Sequence, residues 1–175
     1  LPPVTHLEDS GYVSLRRGSA ALILDAAPVG PDYLPGHAHA DTLSFELSIA
    51  TRRIVVNSGT SVYGTGPERL RQRGTAAHST LMLDDRDSSE VWSGFRVGRR
   101  ARILRTAITD RPNHTVVVAA HDGYRHLPGK PVHERSWTLE TGRLIVADSV
   151  QGDGSHRAAI FFHFPSSIKL DVSAD

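Results

Sequence analysis

Eleven short runs rich in branched aliphatic and aromatic residues recur along the chain, most of them separated by turn formers. They are "GYVSLRRG", "AALILDA", "TLSFELSIA", "RIVVNSG", "STLMLDD", "FRVGRRARILRTAI", "HTVVVAAHDG", "ERSWTLE", "RLIVADSV", "RAAIFFHF" and "SIKLDV". That spacing predicts an all-β fold, an antiparallel β-sandwich or barrel with little helix. Several runs alternate: Leu43, Phe45, Leu47 and Ile49 stand against Ser44, Glu46 and Ser48, a strand with one buried face. Only "GPERLRQRG" (Gly66 to Gly74) has helical character, with Pro67 suited to a first turn, and it reads as a loop carrying one helical turn. "LDDRDSSE" (Leu83 to Glu90) is dense in turn formers and reads as a surface connection. A length of 175 residues with 39% hydrophobic content suits one well-buried domain spanning 1–175.

Composition removes several function classes. There is no cysteine, so any metal must be held by nitrogen and oxygen ligands. The formal charge is only +1, and basic residues are interleaved with acidic ones without a concentrated stripe of aromatics, which argues against nucleic acid as a partner. All but two of the twenty basic residues are arginine. The guanidinium fork suits carboxylate and sulfate ligands, and an arginine-rich coding bias gives the same count. No apolar run approaches the roughly 20 residues that cross a bilayer. The start "LPPVTHLED" lacks the regions of a signal peptide and an initiator methionine, so the expectation is a processed chain or an excised piece of a longer one.

The chemistry-bearing stretch is "LPGHAHADTLSFEL" (Leu34 to Leu47). On an extended strand, His37, His39 and Asp41 project from one face. Two imidazoles so spaced are workable metal ligands, with the carboxylate as a third ligand or holding an imidazole N–H from behind. An H-x-H pair also arises by chance in a chain with ten histidines. A metallo-β-lactamase pattern would need a histidine where Thr42 stands, and a cupin-like site would need a glutamate closer than Glu46. Neither pattern fits well.

Three motifs in order fit a different comparison. Gly36-His37-Ala38-His39-Ala40-Asp41 looks like GHxHxD, Asn57-Ser58-Gly59-Thr60 like D/N-x-G-T, and Thr75-Ala76-Ala77-His78-Ser79-Thr80 like TAAHNT. Together they resemble the C-terminal β-sandwich of the heparinase II/III-like polysaccharide lyases. The similarity continues more loosely through "HERSWTLETGRLIVADSV" and "FFHFP". It implies a supersandwich-like domain that packs against an N-terminal α/α toroid of the same protein. It also implies β-elimination of an acidic polysaccharide in the cleft between the two, in a periplasmic or secreted setting.

Carried over by motif, the resemblance makes His37 the active-site histidine. It puts His39, Asn57 and His78 where metal-binding relatives hold zinc, so zinc or another divalent metal is the implied cofactor. Asn57 departs from the aspartate of those relatives. A neutral amide oxygen is a much poorer zinc ligand than a carboxylate, so the three positions equally suit a metal-free hydrogen-bond cluster. Tyr63 and Arg73 lie between motifs and are candidates to touch the sugar, beside a structural role for each. The toroid would bring the proton-transfer tyrosine and the group that neutralises the uronate, so this chain alone is expected to have little or no lyase activity. The alternative is a non-catalytic carbohydrate-binding or structural β-sandwich module.

One geometric expectation opposes a simple hairpin. A tight turn at Thr51 and Arg52 would set Asn57 opposite Glu46, about 20 Å from His39 at roughly 3.3 Å per residue. Residues 36–42 must therefore bend away from the strand, or a bulge must shift the pairing. Trp92 and Trp137 are both expected in the sandwich core, and His121, His126 and His163 form no evident constellation.

Overall fold

Alternation in the longest strands builds the core directly. Along residues 132–140 every second side chain is buried, and residues 115, 117, 119 and 121 face them from the neighbouring strand. The structure is a computed structural model and describes residues 2–171. Its strands are β1 (Val4–Leu7), β2 (Tyr12–Arg17), β3 (Ala20–Asp25), β4 (Phe45–Ile49), β5 (Arg52–Val55), β6 (Leu81–Leu83) and β7 (Val91–Trp92). They continue as β8 (Arg96–Val97), β9 (Ile103–Asp110), β10 (His114–His121), β11 (Val132–Glu140), β12 (Arg143–Gln151) and β13 (Ala158–Ile160). One sheet runs β1-β2-β3-β4-β5 and the other β12-β11-β10-β9, with β6/β13 and β7/β8 as separate ribbons. All pairings are antiparallel.

The fold is thus the expected β-sandwich. Val13, Leu15, Leu22, Leu24, Leu43, Phe45 and Val55 from the first sheet and its approach pack on Val117, Ala119, Trp137 and Leu139 from the second. Toward one end this interior becomes polar. The inward row of β11 runs Leu139, Trp137, Arg135, His133, and His133 stands opposite His121 in register.

Burial demands partners for these polar groups, and the protein supplies them. Gly123 N–H donates to His121 Nδ1 at 3.0 Å, His121 Nε2 lies 3.0 Å from His133 Nδ1, and His133 Nε2 lies 2.6 Å from Asp148 Oδ1. The first bond fixes the direction of the rest: each imidazole carries its proton on Nε2 and donates onward, ending at the carboxylate. Arg135 grips Asp148 with Nε at 2.7 Å and Nη2 at 2.9 Å. Its Nη1 donates to the Leu43 and Ser79 carbonyls at 3.0 and 2.7 Å.

Burial, before any charge effect, lowers the pKa of both imidazoles from 6.5, while Asp148 pulls His133 the other way. With folded values depressed, the unfolded chain takes up these protons first, so the stability carried by the neutral pair is intact above 6.5 and is lost as pH falls below it. Nitrogen-15 NMR at pH 6.5 is expected to find both rings neutral in the Nε2–H form. A protonated ring there would contradict the network.

Several expectations need correction. Pro67–Arg73 is a full helix, α1, because Gly66 and Pro67 start it, Glu68 pairs with Arg71 and Gln72, and Arg69, Gln72 and Arg73 bury one face. "SIKLDV" forms no strand over residues 167–171, and Val172 lies outside the described residues. Ser88 and Ser89 are buried within the supposed surface connection, since Ser88 bonds Thr75 and Ser89 bonds the Ala101 N–H. Trp137 is core, but Trp92 is 52% exposed on a two-residue strand. Ile49 is exposed at 43%, and Leu43 precedes the strand with φ +62°. A leucine there is strained and is held by its burial.

Candidate functional site

The three motifs meet in loops at one end of the first sheet. Pro35–His37 is a 3-10 turn and residues 38–44 are irregular, so the predicted strand through His37, His39 and Asp41 is replaced by a bend. The pairing of β4 with β5 also slips between Leu47 and Ser48, and β5 ends at Val55. Those departures are what a straight hairpin lacked: the chain leaves the sheet and brings Thr60 Oγ1 to 3.2 Å from His39 Nε2. From the third motif, His78 Nε2 reaches 3.2 Å from His39 Nδ1.

Backbone stitching holds the loops together. The Ala40 N–H donates to the Arg73 carbonyl, and Thr75 Oγ1 donates to the Ala40 carbonyl, both at 2.8 Å. Thr80 Oγ1 donates to the Thr42 carbonyl at 3.0 Å, and Ser58 Oγ to the Ala77 carbonyl at 2.9 Å.

Arg73 is completely buried, and its fork donates to the carbonyls of Ala38, Ser93 and Arg96 at 2.9, 3.2 and 3.1 Å. Each of its guanidinium nitrogens thereby donates one N–H to backbone, and its burial gives the side chain a structural place in this domain. The side chain that reaches His39 is Arg69, one helical turn earlier. Its Nη1 donates to Thr60 Oγ1 at 2.7 Å and lies 3.4 Å from His39 Nε2, while Nη2 and Nε hold the Gly36 and Gly94 carbonyls at 3.1 and 3.2 Å.

Since arginine only donates, His39 Nε2 is the acceptor in the metal-free protein and Nδ1–H points at His78 Nε2. His78 then carries its proton on Nδ1, a buried atom without a hydrogen-bond partner among the described residues. Burial lowers both His39 and His78 to about 4, helped by His78 beside the first and His163 beside the second, so both are neutral at pH 7.

His37 is exposed on the rim of an open cleft of about 640 Å³, whose wall includes His39 and Asp41. Its ring meets Tyr63 edge-on at 5.8 Å. Tyr63 is 65% exposed, stacks parallel to Phe95 at 6.4 Å, and has the Arg69 guanidinium 5.4 Å from its ring. The loops bearing this pair cross at Gly64 and Gly94, where a Cβ on Gly94 would overlap the Gly64 carbonyl. Deeper in the cleft, burial and the neighbouring Asp41 push Asp25 well above its ordinary value. Asp41 is also raised by burial, with His39 pulling it down, and Tyr12 is pushed up to about 12, chiefly by Asp25.

The metal-ligating groups that converge are His39, His78 and Asp41, whose ligand atoms all lie within 4.8 Å of one another. Two nitrogens on one tetrahedral zinc stand roughly 3.3 Å apart, so the 3.2 Å pair fits a shared ion, and neutral imidazoles with a carboxylate are a suitable donor set. Asn57 turns its amide oxygen to the Gly59 N–H at 3.0 Å, and the carboxylate that converges with the two histidines is that of Asp41. Arg69, Thr60 and Phe95 were not singled out in the sequence. Arg69, Gln72 and Arg73 at i, i+3 and i+4 were a legible signal of one inward helix face.

The family model described as "Heparinase II/III-like, C-terminal" matches residues 1–175. Among solved structures, a heparan sulfate lyase HepC mutant from Pedobacter heparinus aligns with TM-score 0.71 and 23% identity over 93% of this chain and 24% of that one. A heparinase III gene product aligns with TM-score 0.76 and 18% identity over 98% of this chain and 26% of that one. The chain therefore spans about a quarter of the length of the structures it matches. Comparison with curated protein sequences finds no match.

Proposed function

The chain belongs to the heparinase II/III-like family through its C-terminal domain, and from that membership we propose that it forms one wall of a lyase cleft acting on uronate-containing polysaccharides. The observation that carries this reading is the convergence of three separated motifs on His39, which lines one cleft with His37 exposed on its rim. An N-terminal α/α toroid of the same protein supplies the opposing wall, and the substrate goes with a periplasmic or secreted location. No described helix is long and apolar enough to cross a membrane.

The chemical obstacle is the weakly acidic C5–H beside a carboxylate. His37 accepts that proton, the C–H electron pair becomes the C4=C5 double bond, and the C4–O bond breaks, with the departing oxygen protonated by a donor from the toroid. Neutralising the uronate lowers the cost of the developing charge. Tyr63 and Phe95 offer an apolar face to a sugar ring beside His37. Full-length protein should release unsaturated product from at least one member of a polyuronate panel, followed by ultraviolet absorbance. Binding without turnover across the panel would favour the second reading, a carbohydrate-binding module built on the exposed Tyr63 and Phe95 pair.

His39, His78 and Asp41 would hold a divalent ion, zinc by donor type, while Asn57 stands nearby in sequence to Thr60 as a hydrogen-bonding residue. When bound, the ion supplies a cross-link between the first and third motifs and a fixed positive charge near the cleft. This chain's own residues accommodate it by a proton shift: His39 gives up Nδ1–H and donates from Nε2 to Thr60. Zinc titration by calorimetry should register one site. Because losing an outer-shell partner costs about 10–100-fold in affinity, His78→Ala should cost more. Equal zinc affinity in that variant would exclude this ligand set.

A further inference from the structure

Beyond the cleft wall formed by Pro28, Val29, Gly30 and Asp32 lies a second open groove of about 1010 Å³ that shares those residues. The two have opposite character. Asp9, Asp25, Asp32 and Asp41 line the cleft without any lysine or arginine, whereas Arg99, Arg100, Arg102 and Arg125 line the groove against Asp32 and Asp122. Arg99 is turned inward to the Ser88, Gly123 and Asp87 carbonyls. Arg102 and Arg125 are exposed, and neither guanidinium has a hydrogen bond or ion pair among the described residues. Arg100 is largely covered, and its partner Asp32, at 2.6 Å, has a side chain 99% exposed and therefore easily exchanged for another anion.

We propose that this groove, lined by Arg100, Arg102 and Arg125, is an anion subsite for a stretch of acidic polysaccharide continuing past the cleft. The inference rests on the lyase reading for the identity of the polymer and on the groove for its location. Forked donors match sulfate and carboxylate in pairs of N–H bonds. The hydroxyl groups of a sugar find acceptors beside them: Asp122, fixed by the Arg102 backbone N–H at 2.8 Å, and His126, whose Nδ1 bonds the Gly123 carbonyl at 3.1 Å and leaves Nε2 as the second ring nitrogen. No phenylalanine, tyrosine or tryptophan lines the groove, so it lacks the stacking surfaces that single-stranded nucleic acid uses.

The test measures equilibrium binding of size-defined heparin to full-length protein carrying His37→Ala, so that cleavage cannot interfere. The double variant Arg102→Ala/Arg125→Ala, at two exposed positions, should weaken binding about 10-fold or more. It should also flatten the dependence of log affinity on log salt by up to about two, through loss of counterion release. In the protein with His37 intact, the double variant should raise KM for long chains while leaving kcat and short oligosaccharides unchanged. Unchanged heparin affinity would overturn the subsite. Single-stranded DNA or inorganic sulfate competing as well as heparin would overturn the polysaccharide assignment. Groove-dependent binding with no turnover by the unsubstituted protein would instead sink the lyase reading alone.

Discussion

Full-length protein carrying His37→Ala loses about 10²–10⁴-fold in kcat on its best polyuronate, the range that a positioned proton-transfer group contributes. The loss should fall on kcat more than on KM, because the imidazole acts on the breaking C–H bond rather than on the length of the polymer. His37 is exposed and contacts Tyr63 only by its ring edge, so the variant should fold normally and its stability should change by no more than about 0.5 kcal/mol. Turnover is read by ultraviolet absorbance of the unsaturated product, and the urea midpoint is read alongside it. A variant that keeps near-normal kcat would take His37 out of the chemistry, whatever the zinc result.

Arg135→Met has the largest expected effect on stability. Arg135 is completely buried, and its partner Asp148 has a side chain only 7% accessible. Burial tends to raise Asp148, but the bonds from His133 and Arg135 prevail and hold it at about 2. Methionine replaces the volume of the stem and leaves the carboxylate with only His133. It also removes the donor from the Leu43 and Ser79 carbonyls. Breaking a buried ion pair by removing one partner costs about 3–5 kcal/mol, a large share of the 5–15 kcal/mol typical of a domain. The urea midpoint should fall accordingly. A change below about 1 kcal/mol would mean that water or a rearranged side chain replaces the guanidinium.

This clamp has a local consequence for the site. Leu43 follows Asp41 by two residues, and Ser79 follows His78 directly, so one guanidinium ties the backbone behind two groups of the proposed metal site. His78→Ala and Arg135→Met should therefore both weaken zinc at the proposed site, with the larger fall in global stability in Arg135→Met.

The sheets were legible because strand alternation is a property of neighbours in sequence: Val13 with Leu15, Leu22 with Leu24, and the β11 row each state their own inward face. The pairing of His39 with His78 was legible only through motif order, since no local pattern says that residues 39 apart will meet. Asp41 was weighed beside the histidines from spacing, while Asn57 entered through motif likeness; the bend after His37 accompanies the approach of the Asp41 carboxylate to the histidines, and an Asx bond to Gly59 holds the Asn57 amide. The His121, His133 and Asp148 chain was not legible, because it depends on the register of three strands, which residue types alone do not specify. Trp92 and Trp137 show the same limit from the other side. A tryptophan inside nine alternating residues has its face assigned by its neighbours, whereas one on a two-residue ribbon does not.

The crossing of Gly64 over Gly94 sets the height of the Tyr63 and Phe95 platform by the thickness of two bare peptide chains. That spacing is independent of side-chain size, so the platform can be retuned for another saccharide by exchanging the rings while its foundation stays put. A methyl group at Gly94 would instead pry the two loops apart and scatter both rings at once.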